Sequence, residues 1–419
     1  MRRVVQITIL IVAGELIFGL PFHISRYFRP TMLDVFAFSN TDLGDIFAVY
    51  GITAMLSYFP GGVIADQYSA RTLLSISLLM TALGGLYMAT IPGAAQMALL
   101  FGYWGVTSIL LFWAAMIRAT REWGGDMSQG KAFGILDGGR GFVGAAVAVL
   151  AVSLLASYLP QEVATANDEE RRAGLSAVIL FYSLITAAVG VLTWFFLPES
   201  QGMPPRSAGR SSFNGAMEVL KKPLVWAQAG IIICAYCGYK GGDNISLYAV
   251  QVLGMNEVDG AKLSAYATYI RPVAAVVAGI LADRFIASRV LGITFAVLVV
   301  SYFLLFLAVP SGIWLSVIYA NIVISFFAVY ALRGIYFALV HETRTPKNLT
   351  GTTVGVVSFV GFTPEIFFAP ITGRILDASP GVPGHQNYFL FLAACSAIGL
   401  AMVFYLLTAN KRNLATISA

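Results

Sequence analysis

Gly62-Val-Ile-Ala-Asp66-Gln-Tyr-Ser-Ala-Arg71 returns later in the chain as Gly279-Ile-Leu-Ala-Asp283-Arg-Phe-Ile-Ala-Ser-Arg289. Each copy is a short charged turn that ends one long apolar stretch and opens another. A chain written twice in this composition has the layout of a membrane carrier built from two related bundles. Other matches keep a similar spacing. Ile24-Ser-Arg-Tyr27 pairs with Ile245-Ser-Leu-Tyr248 at an offset of 221 residues, the Asp turns pair at 217, and Gly134 pairs with Gly355 at 221. Consistent offsets across three pairs of stretches give two homologous halves.

Composition excludes most other classes. Of 419 residues, 58% are hydrophobic and only 11% charged, whereas a soluble domain carries about 25% charged and about 45–50% apolar residues. An ordinary cytosolic enzyme is therefore ruled out. The net charge of +5 does not point to nucleic acid, because Lys and Arg form no basic stripe. They lie between apolar stretches, where loops meet anionic lipid. Cys234-Ala-Tyr-Cys237 and Cys395 fall inside apolar stretches and read as small apolar side chains. No metal or cofactor is expected. His23, His341 and His385 are widely separated, and neither H-E-x-x-H nor G-x-S-x-G occurs, which argues against an intramembrane enzyme. Met1-Arg2-Arg3 and the apolar run to Ile24 imitate a secretion signal. The run is too long, holds Glu15 and lacks a small-x-small cleavage site, so it reads as a retained first helix.

Spanning a bilayer takes about 20 largely apolar residues per helix. Twelve stretches qualify: 4–28, 41–64, 71–91, 95–119, 130–158, 174–197, 223–251, 261–282, 290–309, 312–340, 351–377 and 388–408. Pro92-Gly93, Pro310-Ser-Gly312 and Pro380-Gly-Val-Pro-Gly384 supply turns between them. The division expected is a six-helix bundle over 1–198, a cytoplasmic linker over 199–222 carrying Arg206, Arg210, Lys221 and Lys222, and a second bundle over 223–419. With both termini cytoplasmic, the inside carries sixteen Lys and Arg, among them Arg2, Arg3, Arg118, Arg121, Lys131, Arg344, Lys347, Lys411 and Arg412. The outside carries six: Arg26, Arg29, Arg171, Arg172, Lys262 and Arg374. That asymmetry fixes the orientation by the positive-inside rule and places both Asp turns in the cytoplasm.

The repeated turn resembles that of the major facilitator superfamily, which reads roughly G-x-L-A-D-[RK]-x-G-[RK] between helices 2 and 3. Gly62, Ala65, Asp66 and Arg71 match, while Gln67 and Ser69 depart from it. Gly279, Leu281, Ala282, Asp283, Arg284 and Arg289 match in the second half, with one extra residue before the last Arg. The resemblance implies an all-α membrane protein of twelve transmembrane helices in two six-helix bundles, working as a monomer in the bacterial inner membrane. It also implies a gating role for Asp66, Arg71, Asp283, Arg284 and Arg289. The proline-containing fifth-helix motif of proton-coupled drug exporters is absent from Gly138-Gly-Arg-Gly-Phe-Val-Gly144. The character of helices 5 and 11 is similar to that of organic-anion and organophosphate porters.

Charges at bilayer depth cost about 2.5–3.5 kcal/mol each on insertion scales, so they face a cavity or one another. Helix 1 has Glu15 and His23, helix 5 Asp137 and Arg140, helix 7 Lys240 and Asp243. Helix 8 has Arg271, helix 10 Arg333 and helix 11 Glu365, whereas the interiors of helices 3, 6, 9 and 12 have none. In the resembled fold those four face lipid. Glu15, Phe22 and Arg26 share one face of helix 1, and Tyr236, Lys240 and Asp243 the equivalent face of helix 7. Lys240 and Arg271 are suited to hold an anion, with Arg333, Tyr236 and Arg26 beside them. Glu15, Asp243 and Glu365 are suited to reversible protonation. Asp137 and Arg140, spaced i,i+3 near the cytoplasmic end, read as a mutually neutralising pair by the gate. Lys240 and Asp243 have the same spacing, and their release by substrate would make a trigger. His23, near the outer end of its helix, reads as a wet surface residue. Arg271-Pro272 and Thr363-Pro364-Glu365 mark kinks.

The expectation is an alternating-access carrier that moves a small polar anionic organic solute together with protons, in contact with the lipid bilayer. Proton-coupled drug efflux and carriage of a neutral sugar-type solute are the alternatives.

Overall fold

In lipid every backbone N–H and C=O must be satisfied within the chain, so apolar stretches of this length form helices. A computed structural model describes residues 2–125, 129–199, 219–342 and 350–415, and among them every long element is helical. Arg206, Arg210, Arg344, Lys347 and most of the expected 199–222 linker lie outside the described residues. The principal helices are α1 (Arg2–Leu16), α2 (Asn40–Gln67), α3 (Ala70–Met88), α4 (Ala94–Gly124), α5 (Gln129–Tyr158) and α6 (Asp168–Phe196). They continue with α7 (Pro223–Gly241), α8 (Glu257–Phe285), α9 (Ala287–Leu307), α10 (Ile313–Ala338), α11 (Thr353–Ala378) and α12 (Val382–Ala415).

Sequence punctuation sets the helix starts. Ser39 caps α2 by accepting from the Asp42 N–H while Asp42 accepts from the Ser39 N–H. Asn167 and Glu170 form the same reciprocal box at α6, and Asn256 accepts from the Asp259 N–H at α8. Each arrangement satisfies donors that a helix N-terminus leaves open.

Two expectations about the spans change. Ten described helices are long and apolar enough to cross a membrane, and a bent pair makes an eleventh, against twelve stretches in the sequence. The stretch 223–251 is not among them. It is helical as α7 and Ile245–Gln251, but a 3-10 turn over Gly242–Asn244, which holds Asp243, interrupts it just after Lys240. The first stretch is also interrupted. After α1 the chain passes through a π-helical turn, Gly19–His23, containing Pro21, and then Ile24–Tyr27, with a bend of 40°. A further helix, Arg29–Phe36, follows. Both expected proline kinks coincide with breaks: α8 is interrupted at Tyr269 and α11 before Pro364.

The chain forms two compact units. The first comprises Met1–Arg206, Asp243–Pro272 and Glu365–Asp377; the second comprises Ser207–Gly242, Val273–Pro364 and Ala378–Ala419. The stretch 223–251 and helices α8 and α11 are thus divided at Gly242, Pro272 and Pro364. The first unit's core around α1 holds Leu10, Ala13, Leu74, Leu78, Phe112 and Met116. Within the second unit α9 packs on α12 and α10, and α7 on α12. Ser301 Oγ donates to Asn321 Oδ1 at 2.6 Å and Asn321 Nδ2 donates to the Ser301 carbonyl at 2.7 Å, joining α9 to α10. Such bonds hold helices together where no hydrophobic force acts between them.

Candidate functional site: a buried charge cluster on helices 1, 5 and 8

Glu15, one residue before the end of α1, is 5% exposed. Its two oxygens have different company. Oε2 lies 3.3 Å from Arg140 Nε and 3.9 Å from Arg271 Nη1, while Oε1 lies 3.4 Å from His23 Nε2. Arg271 Nη2 donates to Asp137 Oδ1 at 2.5 Å. At the far end of the bent first helix, Arg26 Nε donates to Asp243 Oδ1 at 2.6 Å and the Arg26 carbonyl accepts from Ser246 Oγ at 2.7 Å. All these groups lie in the first unit. Three arginines stand among three carboxylates, of which Asp137 is half-exposed, so with a neutral imidazole the formal charges balance.

Glycines admit this cluster. A Cβ on Gly144 would lie 2.5 Å from Glu15 Oε1, and one on Gly141 would lie 3.1 Å from Arg271 Cδ. The Gly138–Gly144 run, which offers no proline motif, is thus where α5 lets the α1 carboxylate and the α8 guanidinium approach its backbone. Phe18 stacks under Arg140 at 5.6 Å, and Phe22 meets Tyr50 edge-on at 4.8 Å, lining the neighbouring face with rings.

The expected site residues are distributed as follows. Glu15, Arg271, Asp137 and Arg140 come together, so Asp137 and Arg140, expected as a pair at the gate, join the same cluster as Glu15. Arg26 and Asp243 pair close by. Glu365 begins the first-unit part of α11, where its backbone crosses α2 at Gly51. Lys240, Tyr236 and Arg333 belong to the second unit. Lys240 is buried in the last turn of α7. Arg333 stacks 3.8 Å over the Tyr239 ring and 5.9 Å from that of Tyr236, which in turn meets Phe362 at 5.1 Å.

At the repeated turns, Arg71 Nη2 pairs with Glu199 Oε2 at 2.8 Å and its guanidinium covers Trp194 at 4.8 Å. Arg118, not singled out for gating by the sequence, donates to the carbonyls of Ala65 and Tyr68 and so caps the C-terminus of α2. Asp66, Asp283, Arg284 and Arg289 are exposed. In the second copy the Ser288 N–H donates to Glu342 Oε1 at 3.0 Å.

Two features escaped the sequence. His23, expected on a wet surface, is 2% exposed and wedged between Glu15 and the Tyr182 hydroxyl. The first stretch runs on past it, as its bounds of 4–28 implied, but through a π turn for which the Gly19-Leu-Pro21 interruption was the available signal. The second is a set of contacts remote from the termini. Glu257 accepts from Arg171 Nε at 2.7 Å and from Thr31 Oγ1 at 2.8 Å, and Asp377 accepts from the N–H groups of Asn40 and Thr41. Such partners, 86 to 337 residues apart, leave no local pattern.

Residues 11–369 match the sequence profile described as Major Facilitator Superfamily. The chain belongs to the major facilitator superfamily. Within that superfamily it is 29% identical to the inner membrane protein YqcE of Escherichia coli over 98% of this chain and 95% of the relative. It is 26% identical to YihN, another inner membrane protein of that organism, over 96% and 94%. A probable nitrate/nitrite antiporter of Thermus thermophilus, NarK1, is 24% identical over 86% and 82%. Among solved structures, a bacterial homologue of the human lysosomal transporter Spinster superposes with a TM-score of 0.76 at 15% identity, covering 97% of each chain. A point mutant of the nucleoside transporter NupG gives 0.75 at 12% identity, covering 97% of this chain and 100% of its own. These two share the fold. This major facilitator protein is therefore a multi-pass inner-membrane secondary transporter of small molecules, not an enzyme.

Proposed function

We propose that this major facilitator protein moves a small organic anion together with protons. It would work by alternating access through twelve spans, with α7 continued by Ile245–Gln251 as the twelfth and both termini in the cytoplasm. One observation carries the reading. A buried carboxylate, Glu15, is held by two arginines that can exchange it for the carboxylate or phosphate of a cargo. An arriving anion competes with Glu15 for Arg140 and Arg271, and the carboxylate that has lost its counter-ions then favours uptake of a proton into the cluster. Binding of anion and proton are coupled because each relieves the cost of the other inside the membrane. The name of the Thermus relative, a nitrate/nitrite antiporter, agrees with anionic cargo. Asp66, Arg71, Asp283, Arg284 and Arg289 keep the gating role expected from the repeated turn.

The test is uptake by purified protein in proteoliposomes. Carboxylates, organic phosphates and nitrate are compared with neutral sugars, nucleosides and amphipathic drugs, each with and without a pH gradient. Anion accumulation that follows the pH gradient is expected. Arg271→Gln should lower anion kcat/KM on the order of 10–100-fold, the value of a charged hydrogen bond or two. Movement of neutral solutes or drugs alone would overturn the anion reading.

A further inference from the structure

We propose that His23 holds the proton of the transport cycle, taking it up when an anion draws Arg140 and Arg271 away from Glu15. The inference rests on the anion-and-proton reading above and adds the residue that carries the proton. His23 approaches the Glu15 oxygen that the two arginines do not, with Nε2 3.4 Å from Oε1. Its other nitrogen, Nδ1, lies 3.3 Å from the Tyr182 hydroxyl of α6. The rings of Tyr27 and Tyr182 meet the imidazole edge-on at 5.3 and 5.6 Å. The charged groups that face it are Glu15 and Arg26 from the first helix and Arg271 from α8, with Arg140 of α5 beyond the carboxylate.

This surrounding suits both forms of the ring. Neutral, it donates from Nε2 to Glu15 and accepts the Tyr182 O–H at Nδ1, a tautomer assigned from those partners. Protonated, it still donates to Glu15, and the Tyr182 hydroxyl rotates to accept from Nδ1–H. No heavy atom has to move and no covalent bond other than N–H changes. Imidazole is also the side chain whose ordinary titration range spans physiological pH.

Charge balance supplies the trigger. With neutral His23, the arginines Arg26, Arg140 and Arg271 balance Glu15, Asp137 and Asp243. A cargo anion adds one negative charge to a closed account, and one proton on His23 restores neutrality at the carboxylate that has lost its counter-ions. When the anion leaves, Arg140 and Arg271 return to Glu15 and the imidazolium gives up its proton. One proton therefore accompanies each negative charge of the cargo, and transport is electroneutral.

The protein has three histidines, His23, His341 and His385, so ring-labelled histidine can be followed by nitrogen NMR in the full-length protein. His23→Gln identifies the signal. Arg140→Gln imitates the loss of a counter-ion without any ligand and should raise the imidazolium fraction of His23 at a given pH. Glu15→Gln should lower it. Equal fractions in wild type and both variants would overturn the proposal, and thermal melts report whether each variant is folded. In proteoliposomes His23→Gln should lose accumulation driven by a pH gradient while retaining anion counterflow. Gradient-driven accumulation equal to wild type would also overturn it. If wild type moves no anion at all, the anion reading fails separately, while the ligand-free NMR comparison still decides whether His23 answers to Glu15 and Arg140.

Discussion

At the scale of single residues the cluster depends on what α5 omits. A methyl at position 144 would press on Glu15 Oε1 from 2.5 Å. Gly144→Ala is expected to cost about 1–3 kcal/mol, the range for overpacking a filled site, or to push Glu15 off its arginines and abolish uptake. A thermal melt and an uptake assay, both unchanged from wild type, would show that the carboxylate has room to spare. The charged residues themselves were legible in the sequence, because each is too expensive in an apolar stretch to be accidental. Their partners were not. Asp137 accepts from Arg271, 134 residues away. Pairing is decided by which helices pack together, and that information is absent from the spacing within one helix.

At the scale of elements, the N-terminus of α2 is finished by another helix. Ser39 takes the Asp42 N–H, and Asp377 of α11 takes those of Asn40 at 3.2 Å and Thr41 at 2.7 Å. A carboxylate there meets both the open donors and the positive end of the helix. Asp377→Ala should cost about 1 kcal/mol, as loss of a cap does, and should speed hydrogen exchange at the Asn40 and Thr41 amides. Asp45 pairs with Arg374 a turn away, but both side chains are exposed. Asp45→Asn should therefore leave the melting temperature unchanged, since exposed ion pairs contribute little. If Asp45→Asn destabilises and Asp377→Ala does not, the ranking of these contacts is wrong. Helix positions and proline breaks were readable from apolar runs and punctuation. The bend in the first stretch was not, because an apolar run reads the same whether its helix is straight or bent.

At the scale of the whole molecule, the repeated Asp turn was sufficient to reach the superfamily, since duplication and hydropathy survive changes in individual side chains. It could not show that α8, α11 and the stretch 223–251 are each shared between two compact units, a division set by packing. The proposed sidedness rests on the positive-inside count and is open to a direct test. In a background lacking Cys234, Cys237 and Cys395, a cysteine replacing Thr165 should react with an impermeant maleimide on intact cells. One replacing Ser69 should react only after permeabilisation, and the reverse pattern would invert the topology. The π turn Gly19–His23 carries a different kind of consequence. Such a turn is an α-helix that has taken in a residue beyond what its turns hold. Deleting one of Gly19–Phe22 lets the turn close as ordinary α-helix, with Glu15 and His23 seven residues apart and still on one face. A lineage that gains or loses a single codon here trades a wide turn for a tight one while keeping both groups in register.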